Sequence, residues 1–268
     1  MGGASVSEDQ IRFEDGAAYE RMMGVWSRLV GEEFIAWLAP AAGQRWIDVG
    51  CGNGAFTELL VERCAPREIL GVDPSESQLA FARHRHQAGV AAFRSGDATA
   101  LPSVDQSFDA AVMALVLFFV PDPAMGVAEM KRVVRRGGSV SAYVWDLLEP
   151  GGFPMAPLQE EMSALGFTRI LPPSPDVSRM DALRALWKDA GLADLGTREI
   201  TVARTFADFD DFWASAEIAI RMTHAGAPLP ADILMPVKER LRARLTAERS
   251  GQVTYTSRAN AVTGRVPS

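Results

Sequence analysis

The stretch RWIDVGCGNGAF, residues 45–56, decides how the rest of the chain is read. Trp46, Ile47 and Val49 make a hydrophobic run of strand length, Gly50 through Gly54 a turn holding three glycines, and Ala55 the start of a helical pattern. A strand, a glycine turn and a helix start, in that order, let a small ligand approach the backbone closely. No Cβ stands in its way, and a helix N-terminus offers it unpaired N–H donors.

Downstream, EILGVD, VAAFRSG, FDAAVMAL and GSVSAYVW repeat the strand-length pattern, each followed by a turn or a helical segment. That alternation predicts a parallel sheet with helices on both faces. Ser75 and Gln78 make a capping box after Pro74 for a helix ESQLAFARHRHQA. Asp122 and Pro123 provide an N-cap and a first-turn proline for PAMGVAEMKRVVRR, with Arg135 and Arg136 expected at its C-terminus and Gly137 and Gly138 in the reversal that follows. Upstream, Met22, Trp26, Leu29, Val30 and Phe34 recur at helical spacing.

After Asp146 the alternation gives way to a segment rich in proline and glycine, with one short helix expected around Leu158 to Leu165. Beyond it the patterns MDALRALWKDAG, DLGTREITVAR, FADFDDFWASAEIAI, ILMPVKERLRARLTAE and VTYTSRANAV predict helix, strand, two helices and a final antiparallel strand. The expected architecture is a doubly wound, Rossmann-like α/β sheet of seven strands, the last antiparallel, with an N-terminal helical lid and a helical insertion after strand five. Along the chain this divides into a flexible leader (1–15), a nucleoside-binding core with the N-terminal helix (16–146), an inserted cap (147–180), and the remainder of the sheet with further helices (181–268).

A composition that is 48% hydrophobic and 23% charged fits an ordered core, and a net charge of −7 argues against nucleic acid as the main partner. The acidic N-terminal stretch lacks the apolar centre of a signal peptide, and no window reaches the length of a membrane span. The two cysteines, Cys51 and Cys64, are too few for a disulfide framework. A cytoplasmic protein is expected, with no membrane partner. His84 and His86 stand two apart on a helix and point in opposing directions, so they are expected to be solvated rather than to share a metal. His224 is read as a surface histidine that could alternatively serve as a general base.

In open parallel sheets ligands bind beyond the carboxyl ends of the strands. Asp48 precedes the glycine turn, Asp73 ends the second strand, and Gly96, Asp97 and Ala98 follow the third, so three carboxylates crowd one rim. Gly50, Gly52 and Ala55 also satisfy the dinucleotide pattern G-x-G-x-x-A, and Asp73 lies 19 residues past Gly54, where an acid grips ribose hydroxyls of any nucleoside cofactor. The charge separates the candidates. A pyrophosphate would bring negative charge toward Asp48 and Asp97, whereas S-adenosylmethionine brings a sulfonium and an ammonium with one carboxylate. Asp97 before Ala98 also suits an adenine edge, a carboxylate accepting from the exocyclic amine while a backbone N–H donates to the ring. Asp48 is equally well read as a carboxylate that caps turn amides.

Residues 19–145 resemble a class I S-adenosylmethionine-dependent methyltransferase of the type that includes ubiquinone and menaquinone biosynthesis enzymes. WIDVGCGNG resembles the cofactor loop, GVDPSESQLAFAR the ribose-binding segment with Asp73, Pro74 and Ser75, and GDATALP the adenine-binding segment. SFDAAVMALVLFFVPDP resembles the fourth strand, and EMKRVVRRGGSVSAYVW the helix and strand after it. The resemblance implies that Gly50, Cys51, Gly52 and Gly54 border the methionine part, that Asp73 holds the ribose, and that Asp97 and Ala98 frame the adenine. It further implies a backbone carbonyl near Leu115 for the cofactor amine, and Tyr19 over the cofactor. Where many relatives carry a polar residue this chain has Phe118 and Phe119, so no catalytic residue is transferred. No metal is expected.

The expected reaction is methyl transfer to a small, partly hydrophobic molecule, hinted at by Phe153, Met155, Phe167 and Ile170 in the cap, in a monomer or homodimer. Tyr143 and Trp145, near a strand end, are candidates for the acceptor pocket. Two alternatives remain beside it: an NAD(P)-dependent oxidoreductase, and a non-catalytic S-adenosylmethionine-binding protein.

Overall fold

The computed structural model describes residues 20–86, 89–223, 229–245 and 251–268. Seven strands form one sheet: β1 (Arg45–Val49), β2 (Glu68–Asp73), β3 (Ala91–Ser95), β4 (Phe108–Ala114), β5 (Val134–Trp145), β6 (Ala193–Phe206) and β7 (Val253–Arg265). Their spatial order is β3-β2-β1-β4-β5-β7-β6. β1 to β5 pair in parallel, and β7 runs antiparallel to both β5 and β6, as the alternation in the sequence predicts. The order reverses between β1 and β4, so the crevice for a ligand opens above those two strands and β2.

Eight helices flank the sheet among the described residues: α1 (Val25–Leu38), α2 (Ala55–Cys64), α3 (Glu76–Arg85), α4 (Pro123–Val133), α5 (Ala156–Ala164), α6 (Met180–Asp189), α7 (Phe209–Thr223) and α8 (Ala231–Leu245). Their starts follow the cap chemistry. The Ser75 hydroxyl accepts the Gln78 N–H at 3.4 Å, and Asp122 accepts the Met125 N–H at 3.0 Å with Pro123 in the first turn. An N-cap of this kind contributes about 1 kcal/mol.

Trp26, Val30 and Phe34 of α1 are fully buried, and the Phe34 ring meets that of Tyr143 on β5 at 4.6 Å. The N-terminal helix is therefore mainly a core element. Only its first turn and the wider, π-type turn before it, Glu20–Gly24, reach over the crevice as a lid. Trp187 of α6 is also fully buried and donates its indole N–H to the Val140 carbonyl at 2.9 Å, which locks α6 onto β5.

Two local expectations change. α4 ends at Val133, and Arg135 and Arg136 belong to β5, because Val134 already pairs with Phe108. A register shift then opens between Phe108 and Ala110, and Gly137 takes φ +73° to carry the chain through it. α3 ends at Arg85, and His86 is not a solvated helix residue. Its ring packs on Phe93 at 5.2 Å and Nε2 donates to the Gly54 carbonyl at 3.1 Å, since a carbonyl can only accept.

The insertion after β5 contains α5 and a short turn, Pro175–Ser178. It is tied to the rest at several points. Ser174 donates its N–H to the Phe118 carbonyl at 3.0 Å, Tyr255 donates its hydroxyl to the Pro154 carbonyl at 2.7 Å, and Arg244 of α8 pairs with Glu160 of α5 at 2.6 Å. No described helix is long and apolar enough to cross a membrane.

Candidate functional site

Above the carboxyl ends of β1, β2 and β4 lies a cleft of about 800 Å³. Its floor is the glycine turn. Gly50 has φ +76°, and a Cβ there would stand 2.4 Å from Val116 Cγ1, so the close approach of the segment that follows β4 requires glycine. Gly52 has φ +52° and nothing within 4 Å of where its Cβ would be. Gly52 also lines the cleft, so glycine there allows the backbone turn and adds no side chain at the cleft floor.

Asp73 binds the turn to the start of α3. Its Oδ2 accepts the Gly52 N–H at 2.9 Å and its Oδ1 the Ser75 N–H at 2.8 Å, and each oxygen keeps a lone pair for a further donor. Burial pushes its pKa up, opposed by these two N–H groups. Asp97 is exposed and lines the same cleft. Its Oδ1 accepts both the N–H and the hydroxyl of Thr99, at 2.7 and 2.6 Å, which holds its pKa below the usual carboxylate range and leaves Oδ2 open. Ala98 lines the cleft beside it.

Leu115 leaves β4 with φ +62°, a left-handed conformation strained for a side chain of this kind, and donates its N–H to the Tyr143 carbonyl at 2.8 Å. It lines the cleft together with Cys51, Pro74, Ser75 and Tyr143. Asp48 does not line it. Fully buried, Asp48 accepts the Thr57 hydroxyl at 2.7 Å on Oδ2 and has no partner on Oδ1, and desolvation raises its pKa to about 7. Gly54 is likewise outside the lining: a Cβ there would meet Ala82 at 3.1 Å. Tyr19 and His224 fall outside the described residues.

The lid contributes residues with no local signature in the sequence. Glu20 accepts from Asn53 Nδ2 at 2.9 Å and from Arg85 at 3.0 Å, while Arg85 also reaches Glu58 at 2.8 Å. Arg28 pairs with Glu62 at 2.8 Å and Glu32 at 3.4 Å. The two arginines at the cleft are thus neutralised by glutamates, whereas Asp73 and Asp97 have no cationic partner among the described residues. The open charge of the cleft is negative.

A second, apolar chamber of about 180 Å³ adjoins the cleft, sharing Leu115 and Phe119 with it. Trp145 and the cap residues Phe153, Met155, Phe167 and Ile170 line it. Tyr143, the other candidate at that strand end, lines the larger cleft instead. Among the described residues no cluster of side chains is suited to hold a metal ion.

Sheet order and the strand–glycine turn–helix start together define a Rossmann-like α/β architecture. Residues 47–142 match the model of the methyltransferase domain family. An uncharacterized methyltransferase of Mycobacterium tuberculosis is 39% identical over 114 residues, 42% of this chain and 44% of that protein. A ubiquinone/menaquinone biosynthesis C-methyltransferase of Dinoroseobacter shibae is 32% identical over 164 residues, 60% of this chain and 63% of that one. The chain spans about half the length of the curated relatives it matches. In fold, it is similar to phosphoethanolamine N-methyltransferase 2 of Haemonchus contortus, solved with S-adenosyl-L-methionine, with a TM-score of 0.58 and 16% identity over 94% of this chain and 56% of the other.

Proposed function

We propose that the protein transfers a methyl group from S-adenosylmethionine to a small, partly apolar acceptor. The observation that carries this reading is the pair of uncompensated carboxylates, Asp73 and Asp97, facing one cleft across a glycine turn whose Gly52 leaves space for a ligand. Such a rim favours a cationic nucleoside over a pyrophosphate. When bound, S-adenosylmethionine supplies a methyl carbon on positive sulfur; an acceptor lone pair forms the new bond to it as the C–S electron pair returns to sulfur.

In this reading Asp73 accepts the ribose hydroxyls, Asp97 Oδ2 accepts the adenine amine beside Ala98, and the glycine turn with Cys51 borders the methionine part. The backbone carbonyl of Leu115 accepts from the amine. The chamber behind Leu115 and Phe119 receives the acceptor and excludes water, so orientation supplies much of the acceleration. Among the described residues, the chamber lining holds no Asp, Glu, His or Lys.

The test is transfer of labelled methyl from S-adenosylmethionine into the small-molecule fraction of a cell extract. Label appearing in an organic-extractable product supports the reading. Saturable cofactor binding with no transfer into any fraction would instead favour a binding protein without turnover.

A further inference from the structure

Among the described residues that line the apolar chamber, Arg169 is the one cationic side chain. It takes part in no hydrogen bond or ion pair among the described residues, and its Nε is sealed from solvent without an acceptor. The two glutamates of α5 are committed elsewhere: Glu160 pairs with Arg244 at 2.6 Å, and Glu161 with Arg244 at 3.8 Å and Arg240 at 4.0 Å. Burial lowers the pKa of Arg169, yet a guanidinium remains charged in any protein environment. Arg169 is half-buried, and its sealed Nε is a donor that is unfavourable to leave without an acceptor unless a ligand in the chamber supplies one. The remaining polar side chains of the lining, Gln159, Ser163 and Thr168, are neutral.

We propose that the chamber is a binding site for an apolar molecule carrying one anionic oxygen group, a carboxylate or a phenolate, with Arg169 as its counter-ion. The planar fork of the guanidinium matches two oxygens of a carboxylate or one phenolate oxygen, and the apolar body packs against Phe153, Met155 and Phe167. That this molecule is the methyl acceptor rests on the methyltransferase reading; its binding at Arg169 does not.

The experiment measures binding by titration calorimetry, in the presence of S-adenosylhomocysteine, of octanoate and 1-naphthoate as carboxylates and of 4-nitrophenolate as the phenolate. Octanol, 1-naphthaldehyde and 4-nitroanisole serve as their neutral counterparts. At least one anion is expected to bind about tenfold or more tightly than its counterpart, a difference typical of charged hydrogen bonds. The arm that binds identifies the oxygen group. Arg169→Gln abolishes the preference and Arg169→Lys retains part of it, while both variants keep the wild-type thermal shift with S-adenosylmethionine, which shows that they fold.

Equal binding of anion and neutral counterpart overturns the proposal, as does unchanged anion binding by Arg169→Gln. So does absence of anion binding by a wild-type protein that is still stabilised by S-adenosylmethionine. Absence of that stabilisation with the anion preference intact counts against the methyltransferase reading alone.

Discussion

Asp73 fastens Gly52 from 21 residues away: its Oδ2 accepts the Gly52 N–H at 2.9 Å, so the acid read as the ribose ligand also holds the glycine turn in shape. Asp73→Ala therefore removes two things at once. The lost backbone bonds cost about 1–3 kcal/mol of stability. Cofactor affinity falls further, by about 100-fold, because both the hydroxyl acceptor and the turn geometry go. Asp73→Asn, which keeps one acceptor oxygen, loses less. Calorimetric titration alongside thermal denaturation separates the two effects.

Gly52 and Gly50 are expected to respond differently to the same substitution. Gly52→Ala meets no atom within 4 Å, so it costs only the left-handed backbone penalty of about 1–2 kcal/mol, and its methyl enters the ligand space. The variant folds, and cofactor binding is largely lost. Gly50→Ala drives a methyl to 2.4 Å from Val116 and lowers the melting temperature sharply. Equal destabilisation of both variants, with binding retained at Gly52→Ala, would contradict this division of labour.

Asp48 supplies a pH dependence. Its folded-state pKa, raised to about 7 by burial, lies above the ordinary carboxylate value of about 4, so the neutral form is favoured in the ligand-free fold. Its contribution to stability is fully present below the ordinary value and is lost as pH rises through 7. A cationic ligand in the neighbouring cleft favours the ionised form. Affinity for S-adenosylmethionine accordingly weakens as pH falls from 8 to 6, by less than about tenfold per unit, and Asp48→Asn flattens the profile. A profile of the same slope in both proteins would assign the effect to other groups.

The lid tie is expected to control residence time. Glu20→Ala releases Arg85 and Asn53 from the turn before α1, and cofactor dissociation accelerates about two- to fivefold, the range expected of a partly exposed ion pair. Stopped-flow fluorescence measures the rate. An unchanged rate would mean that Glu20 does not hold the lid.

What the sequence makes legible here is what the chain places close along itself. The glycine turn, the Ser75 and Asp122 caps and the acids ending β2 and following β3 each carry a local pattern, and the strand alternation carries the topology. Contacts between distant segments have no such pattern. Glu20 and Arg85 meet across 65 residues, and before folding both look like ordinary charges on helix faces. His86 reads as solvated because its partners, Gly54 and Phe93, come from another turn and another strand. Asp48 is visible as an acid beside the turn, but its burial away from the cleft follows from the Thr57 side chain of α2. The apolar cap hints at a chamber through Phe153 and Met155, whereas the isolation of Arg169 is apparent only once Glu160 and Glu161 are seen to face α8.

The central claim, that the cleft takes a cationic nucleoside, is tested most directly by titrating the protein with S-adenosylmethionine and, separately, with NADH. The account predicts a single saturable site for S-adenosylmethionine that Asp73→Ala removes, and no saturation with NADH. Saturable NADH binding, with no heat and no thermal shift from millimolar S-adenosylmethionine, would contradict it.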